Sequence, residues 1–399
     1  MSRGRMTGLP LLGVFVPALL FALAACQSGG DIADALDPGS GSSGEQTTPA
    51  HGSPRKPIAL GKGNMHVSML LPLSAAGHAG EEGRKMLDGA KLAMADMGDE
   101  FVTLTIEDTR GDAALARKMA VAAMSSGAKA VIGPTELLAA NHLARITGDK
   151  RPPVLALAEN FAGSKGVYSV RLSEADSAAA AAAAQAAKGM RKFVLFVADG
   201  ADSDAISKRV ANSLSIYGAT LAVTMPYRTT GAGAEKAVSN VQALVEKPEA
   251  VIVASGATNP SILASMLRSK GLLGRNVALV GTNRWLAHPI SDPLLEGAYI
   301  AALDVAEIEP FEARFKSTFN YAPDVNVAYA YDMVALTSGV ARALGPKGLT
   351  RQVIENKTGF RGSTGLFRFR ADGASERSMP LYQIRGGRLK QVEKSISGF

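Results

Sequence analysis

Hydrophobic and polar positions follow two alternating patterns along most of the chain. The first is a short, mostly apolar run that ends at a turn, such as HVSMLLPL at 66–73, and it is typical of a buried strand. The second is a longer segment with helical spacing, such as 81–97, where Leu87, Ala90 and Met94 fall on one stripe. This strand and helix unit repeats many times, which predicts mainly parallel sheets covered by helices.

The repeated units form two series that meet near residue 173, where an alanine-rich helix begins. The predicted fold class is therefore α/β, with two Rossmann-like lobes. The end of the chain departs from the rhythm, because three helices at 309–320, 325–343 and 349–356 precede short strands joined by glycine-containing turns. We interpret this end as segments that cross repeatedly between the lobes. The predicted boundaries are 63–173 with about 304–357 for lobe 1, and 174–303 with about 358–399 for lobe 2.

The first 62 residues have a different pattern. Residues 1–25 carry a basic head, with Arg3 and Arg5, and then an uncharged apolar run that ends in small residues, as in a cleavable signal peptide. The run is shorter than the roughly 20 residues of a spanning helix, and two prolines interrupt it. Residues 26–62 are rich in Gly, Ser and Pro and poor in large apolar side chains, which predicts a flexible tether.

Cys26 is the only cysteine of the chain, so no internal disulfide can form. It directly follows the small residues of the apolar run, and LAAC at 23–26 resembles the lipobox of bacterial lipoproteins. The resemblance implies that the thiol is acylated and that the chain is cut before it; an ordinary signal peptide is the alternative. Each buried methylene contributes about 0.8 kcal/mol, so two or three acyl chains would hold the protein on a membrane. We expect a lipid-anchored periplasmic protein, and Gln27 implies the outer membrane where one exists.

Composition and motifs exclude several classes of function. The net charge of +7 is spread along the chain, without a basic tract that includes aromatic residues, which argues against nucleic acid as a partner. The sequence contains no nucleophile elbow, zinc-protease motif or phosphate-binding loop, and the five histidines lack the paired spacing of metal ligands. Ser74 and His78 lack a third residue that would orient them as nucleophile and base. We predict a non-catalytic protein without a cofactor.

Small and polar residues follow several predicted strands, where ligands bind in open α/β sheets. They predict a cleft between the lobes that binds a small molecule. For each single residue, turn formation or helix capping is the alternative, and for the single tryptophan it is packing at a strand end. The candidate ligand-binding residues are Ser74, Ala75, Gly77, Thr135, Glu159, Asn160, Asn259, Asn283 and Trp285.

Several motifs, in their order along the chain, resemble the type I periplasmic binding proteins of the leucine/isoleucine/valine-binding group. They include LLPLSAAG at 70–77, GAKAVIGP at 127–134, AYAYDMVAL at 328–336 and GFRGSTGLFRFRADG at 359–373. The similarity extends over about residues 65–395. It implies two lobes that close on a ligand by a hinge, and usually a receptor for an ATP-driven (ABC) importer of amino acids.

The sequence departs from this family at the expected ligand contacts. Family receptors hold the carboxylate of an amino acid with a serine and a threonine, and its ammonium group with an acidic residue. The corresponding positions here are Leu137 or Leu138, a position near Asn160, and a position near Asn259 or Ser261. An unpaired buried charge is strongly unfavourable, so this set of contacts is largely lost. Glu159 is the candidate replacement for the acidic residue.

A second branch of the family matches other segments. VGTNRW at 280–285 and LLEGAYIAALD at 294–304 are similar to lipoproteins called penicillin-binding protein activators, which contact a peptidoglycan synthase. A lipid anchor and a long tether suit such a bridging protein, although the helical repeat domain of larger activators is missing. Our main prediction is a regulator of peptidoglycan synthesis, with a synthase or a cell-wall fragment as partner. The alternative is an importer receptor for branched-chain or related amino acids, with an ABC permease as partner.

Overall fold

The computed structural model describes residues 56–146, 151–200, 202–245, 247–395 and 398–399. All of them belong to one compact unit, Pro49–Phe399. The predicted signal peptide, the lipidation site at Cys26 and most of the predicted tether lie outside the described residues.

The first part of the described chain forms a six-stranded sheet with helices on both faces. Its elements are β1 (Ile58–Leu60), β2 (Met65–Leu71), α1 (Gly77–Met97), β3 (Val102–Asp108), α2 (Ala113–Ser125), β4 (Ala130–Ile132), α3 (Leu137–Ala144), β5 (Val154–Ala156) and β6 (Val167–Ser169). The strand order is β1-β3-β2-β4-β5-β6, and only the pair of β1 and β3 is antiparallel. Six of the seven residues of β2 are buried, as expected for a strand with both faces covered.

The next part forms most of the second lobe. Its elements are α4 (Glu174–Ala187), β7 (Lys192–Ala198), α5 (Ser203–Ser215), β8 (Thr220–Tyr227), α6 (Gly231–Leu244), β9 (Ala250–Ala254), α7 (Ser261–Ser269), β10 (Ala278–Val280) and β11 (Tyr299–Ala301). Two short 3₁₀ helices, Asn283–Ala287 and Pro293–Leu295, lie between β10 and β11.

The last part contributes to both lobes. Its elements are α8 (Val305–Phe319), α9 (Val325–Leu344), α10 (Arg351–Ile354), β12 (Phe360–Gly362), β13 (Gly365–Phe369), β14 (Ser375–Arg377), β15 (Leu381–Arg385) and β16 (Arg388–Glu393). The second sheet has the order β16-β15-β11-β10-β9-β7-β8, with β15 and β16 antiparallel to their neighbours and the other pairs parallel. The two-lobed α/β fold with mainly parallel sheets is therefore confirmed.

Two boundaries differ from the sequence prediction. Residues 58–60 were expected in the tether but form β1, because Ile58 and Leu60 pack on the core of the first lobe while the strand pairs with β3. Residues from 358 onward were expected in the second lobe, but β12, β13 and β14 form a separate sheet on the first lobe. The reason is aromatic packing: Phe369 lies 5.3 Å from Tyr168, centroid to centroid.

Within the described residues, the chain passes between the lobes three times, at 170–173, 302–304 and 378–380. Arg377 is buried beside these crossings. Its guanidinium donates to Oγ1 of Thr364 at 2.8 Å and to the carbonyl oxygen of Val170. It also packs 4.8 Å from the ring centre of Tyr329, whose hydroxyl accepts a hydrogen bond from Leu172.

Asp332 of α9 completes this hinge network. Its carboxylate is 2% exposed and accepts four hydrogen bonds, from the backbone amides and the hydroxyls of Ser363 and Thr364. Thr364 thus links the buried carboxylate of Asp332 to the buried guanidinium of Arg377. A buried charge is tolerated when hydrogen bonds satisfy it, so each member of this network depends on the others.

We expect Asp332→Ala to lower the free energy of unfolding by about 3 kcal/mol, because four donors would lose their buried acceptor. Urea unfolding followed by circular dichroism measures this change. The matched control is Asp112→Ala, which removes an N-terminal cap of α2 at the surface and should cost about 1 kcal/mol. Equal losses for the two variants would contradict the role assigned to the Asp332 network.

Candidate functional site

The loops that follow the strands of the two lobes meet beside the hinge. They enclose a cavity of about 70 Å³, between the loops after β5, β6 and β10 and the first turn of α9. The residues lining it include Glu159, Asn160, Arg171, Asn283, Arg284 and Tyr329. Pockets that hold organic ligands usually measure about 300–1,000 Å³. This cavity in the cleft between the lobes is therefore too small for such a ligand while the lobes keep this arrangement.

Arg284 bridges the two lobes across this cleft. It lies in the 3₁₀ helix after β10 of the second lobe, and its guanidinium forms an ion pair with Glu159 of the first lobe. A second hydrogen bond runs from its Nη2 to Oδ1 of Asn160 at 3.3 Å. About half of the Glu159 side chain is exposed to solvent, so this bridge contributes at most about 1 kcal/mol.

Asp108 shapes the wall of the first lobe. Its Oδ1 atom accepts the backbone amides of Ser74 and Arg110, both at 3.0 Å, and so holds together the loops after β2 and β3. The hydroxyl oxygen of Ser74 is buried and has no hydrogen-bond partner in the structure. Of the predicted neighbours, Ala75 is buried, whereas Gly77 is exposed and starts α1 with a φ of +62°.

The sequence analysis missed Glu136, which is next to the predicted Thr135. Glu136 is the residue before α3, and its Oε1 atom accepts the hydroxyl of Thr109 at 2.5 Å. Burial raises the pKa of its carboxyl, an effect that hydrogen bonds from Thr109 and Thr135 oppose. Its second oxygen, Oε2, is buried without a hydrogen-bond partner. A glutamate at a helix start ordinarily indicates a surface residue that favours the helix dipole, so the buried position of this oxygen could not be predicted from the sequence.

Glu174 holds the equivalent place in the second lobe, and the sequence analysis missed it as well. It is the first residue of α4, its side chain is 5% exposed, and it lies at the carboxyl ends of the central strands. Its Oε1 atom accepts the hydroxyl of Thr282 at 2.8 Å and the amide of Gly256 at 3.1 Å. Burial raises the pKa of this carboxyl too, and it raises the pKa of the nearby Tyr227 hydroxyl.

The structure brings some of the predicted residues together and separates others. Glu159, Asn160 and Asn283 line the cavity, and the Oδ1 atom of Asn283 is buried without a partner. Asn259 is exposed, and its side chain accepts the amide of Ser261 at 3.0 Å, which is a turn contact before α7.

The expectation for Trp285 needs correction. The side chain is fully buried in the core of the second lobe, and its indole donates to the carbonyl oxygen of Val253 at 3.1 Å. A Cβ atom on Gly281 would lie 2.5 Å from the ring, so the indole rests directly on the backbone. Trp285 therefore packs at a strand end and does not line the cleft. In the core, the indole NH has a hydrogen-bond acceptor and the apolar ring surface is removed from water.

Two searches of the described residues gave negative results. No group of three or more histidine, cysteine, aspartate or glutamate side chains within the described ranges is arranged to hold a metal ion. No described helix combines the length and the apolar character that crossing a membrane requires.

We expect Glu174→Gln to make the protein more stable than the wild type at pH 7.5 but not at pH 4. An acid with a raised folded-state pKa stabilises the fold below its unfolded value of 4.5, and this contribution is lost as the pH rises through the folded value. Arg284 opposes this shift, whereas Glu159 reinforces it. Urea unfolding at both pH values measures the difference, with exposed Glu312→Gln as control. A stability gap that did not change with pH would refute the assignment.

Comparisons with known proteins agree with the fold. A family model described as periplasmic binding protein matches residues 65–388. No curated protein matches the chain.

Solved structures with this fold are numerous, and three illustrate their range. One from Rhodospirillum rubrum, assigned to a branched-chain amino acid ABC transporter, has 17% identity and a TM-score of 0.66, over 82% of this chain and 99% of that one. An ABC transporter substrate-binding protein from Desulfitobacterium hafniense, in complex with Leu, has 17% identity and a TM-score of 0.60, over 82% and 99%. A solute-binding protein of an ABC transporter from Rhodopseudomonas palustris BisB5, in complex with 3,4-dihydroxybenzoic acid, has 14% identity and a TM-score of 0.59, over 84% and 97%.

These low identities establish the fold alone, whereas the family model covers most of the chain. Together with the two lobes and the cleft between them, the match over residues 65–388 shows that the chain belongs to the periplasmic binding protein family.

Proposed function

We propose that this protein is the solute-binding receptor of an ATP-driven importer. The observation that carries the proposal is a hinged cleft with buried polar groups on both walls, at the strand ends where open α/β sheets bind ligands. Family membership supports a periplasmic location and a binding role. The similar structures from D. hafniense and R. palustris are substrate-binding or solute-binding proteins of ABC transporters, and each contains a small molecule.

The geometry of the cleft supports binding by closure. A cavity of about 70 Å³ is too small to admit most organic solutes, so a solute must enter while the lobes are apart. The three crossings at the hinge allow such a motion, because few residues need to change conformation. Arg284 then joins Glu159 and Asn160 when the lobes meet. The protein therefore supplies part of the contact between the closed lobes without help from the solute.

The regulator of peptidoglycan synthesis, which was the main prediction from the sequence, has less support. It rests on segments in 280–304, and these contain Trp285, which is buried in the core, and Arg284, which is bound to the first lobe. Neither side chain is therefore available to a protein partner while the cleft is closed. The similar structures reported above belong to transporters.

We expect a small solute to raise the melting temperature of the full mature chain in a thermal-shift screen. A solute at 100 times its Kd adds about 2.7 kcal/mol to the stability of the closed form. Small-angle X-ray scattering should show a smaller radius of gyration with that solute. Arg284→Ala should weaken its binding about threefold, because the bridge contributes at most about 1 kcal/mol.

The screen also separates the two functions. If no solute raises the melting temperature and the chain instead binds a purified peptidoglycan synthase, the receptor proposal fails and the regulator replaces it. Uptake of the identified solute, measured in cells with and without the gene, then tests the transport step.

We further propose that Cys26 carries the lipid that keeps this receptor at the membrane surface. The support is the LAAC sequence at 23–26 and the glycine- and serine-rich segment after it. We expect mass spectrometry of the membrane-bound protein to find acyl groups on Cys26 as the first residue, and Cys26→Ser to release the protein from the membrane. A mature first residue other than Cys26 would contradict this assignment.

A further inference from the structure

We propose that the cleft recognises its solute through hydrogen-bond donors on that solute, an amine or hydroxyl groups, and that it rejects carboxylates. The juxtaposition behind this proposal is a glutamate at the strand ends of each lobe, the partly buried Glu136 in the first and the buried Glu174 in the second. It rests on the receptor function proposed above and adds the chemical class of the solute.

The first argument concerns the start of α3. The amides at the beginning of a helix attract anions, and a carboxylate group of a solute would ordinarily find favourable contacts there. In this chain the carboxyl of Glu136 lies beside that place, although it does not cap the helix. Its Oε1 atom accepts the hydroxyl of Thr109, and the backbone amides of Thr135 and Glu136 also favour its charge. A second carboxylate at the start of α3 would meet a like charge at short range.

The second argument concerns atoms that lack a partner. The Oε2 atom of Glu136 and the hydroxyl oxygen of Ser74 are both buried without a hydrogen bond, at the ends of the neighbouring strands β4 and β2. An unsatisfied buried polar atom destabilises the structure that contains it. A carboxylate oxygen accepts hydrogen bonds, and a hydroxyl can also accept one, so a donor group on the solute satisfies both atoms.

The wall of the second lobe also combines a carboxyl with a buried hydroxyl that lacks a hydrogen-bond partner. Ser255 is fully buried at the end of β9, and its hydroxyl has no hydrogen-bond partner. The next residue, Gly256, donates its amide to Glu174. A carboxyl that accepts a threonine hydroxyl and an unsatisfied serine hydroxyl therefore lie at the strand ends of each lobe. A solute with donors at two points matches this arrangement, whereas a single carboxylate does not.

Arginine side chains bind carboxylates, so any unpaired arginine near the cleft would argue against this assignment. Arg284 is bound to Glu159 and Asn160, and Arg171 forms an ion pair with Glu82 at 2.6 Å. Arg110, which follows β3 with a φ of +58°, makes no ion pair within the described residues, and its Nε atom is buried without a hydrogen bond. The Nε atom of Arg171, which lines the cavity, is also buried without a hydrogen bond, so Arg110 and Arg171 are the competing receptors for a carboxylate that the test has to address.

The test uses pairs of probes that differ in one group: L-leucine against L-leucinol, and benzoate against benzylamine and benzyl alcohol. Titration calorimetry on the full mature chain measures each affinity. We expect each alcohol or amine to bind at least about tenfold more tightly than its carboxylate counterpart, a ratio that one satisfied buried acceptor can supply. The wild-type comparison needs no variant, so a folding defect cannot obscure it.

Two variants then locate the effect. Glu136→Gln should reduce the preference for alcohols and amines over carboxylates at least about fivefold, because it removes the charge and adds a donor at that wall. Glu312→Gln, an exposed change on α8, should leave the preference unchanged. Circular dichroism melting curves verify that both variants are folded.

The outcomes separate this inference from the proposed function. Carboxylate probes that bind as tightly as their counterparts overturn the inference while the receptor function stands, and loss of that binding in Arg110→Ala or Arg171→Ala shows which arginine holds them. A preference that is the same in Glu136→Gln as in the wild type also overturns it. A chain that binds no solute of either class, in this set or in the wider screen, overturns the receptor proposal itself, and the inference with it.

Discussion

The buried network of Asp332, Thr364 and Arg377 is the interaction on which the rest of the structure depends. It ties α9 of the first lobe to the third sheet and, through the carbonyl of Val170, to the first crossing between the lobes. Buried polar networks fix one arrangement more strictly than apolar packing, because a shifted partner leaves a charge unsatisfied. Arg171 and Leu172, which follow Val170 in that crossing, line the cavity, so the network positions this part of the cleft.

Parallel sheets determine which residues reach the cleft. All strands of a parallel sheet end at the same edge, so Ser74, Glu136 and Glu159 lie along one edge although they are far apart in the sequence. The second lobe repeats the arrangement with Ser255 and Thr282. The fold therefore gives each wall one carboxyl near a threonine hydroxyl, Glu136 with Thr109 and Glu174 with Thr282.

The repeated pattern of strands and helices was enough to predict both lobes and the edge where the cleft lies. The boundaries of single elements and the burial of single side chains were harder to predict. The first of the three late helices was expected at 309–320, a range that includes Pro310. In the structure α8 begins at Val305, because Asp304 caps it by accepting the amide of Ala306 at 3.0 Å. The burial of Glu174 could not be read from the sequence, because its partner Thr282 is 108 positions away. Trp285 was misplaced since a lone tryptophan after a strand fits a core or a cleft equally well.

The contacts across the cleft and the buried polar atoms on its walls indicate how strongly the closed form is stabilised. The bridge between Arg284 and Glu159 is partly exposed and contributes at most about 1 kcal/mol. Against it stand four buried polar atoms without partners, on Ser74, Glu136, Ser255 and Asn283, each costing about 1–3 kcal/mol. The bridge alone therefore stabilises the closed arrangement only weakly. A solute whose donors satisfy these atoms stabilises it further, so affinity and closure arise from the same hydrogen bonds.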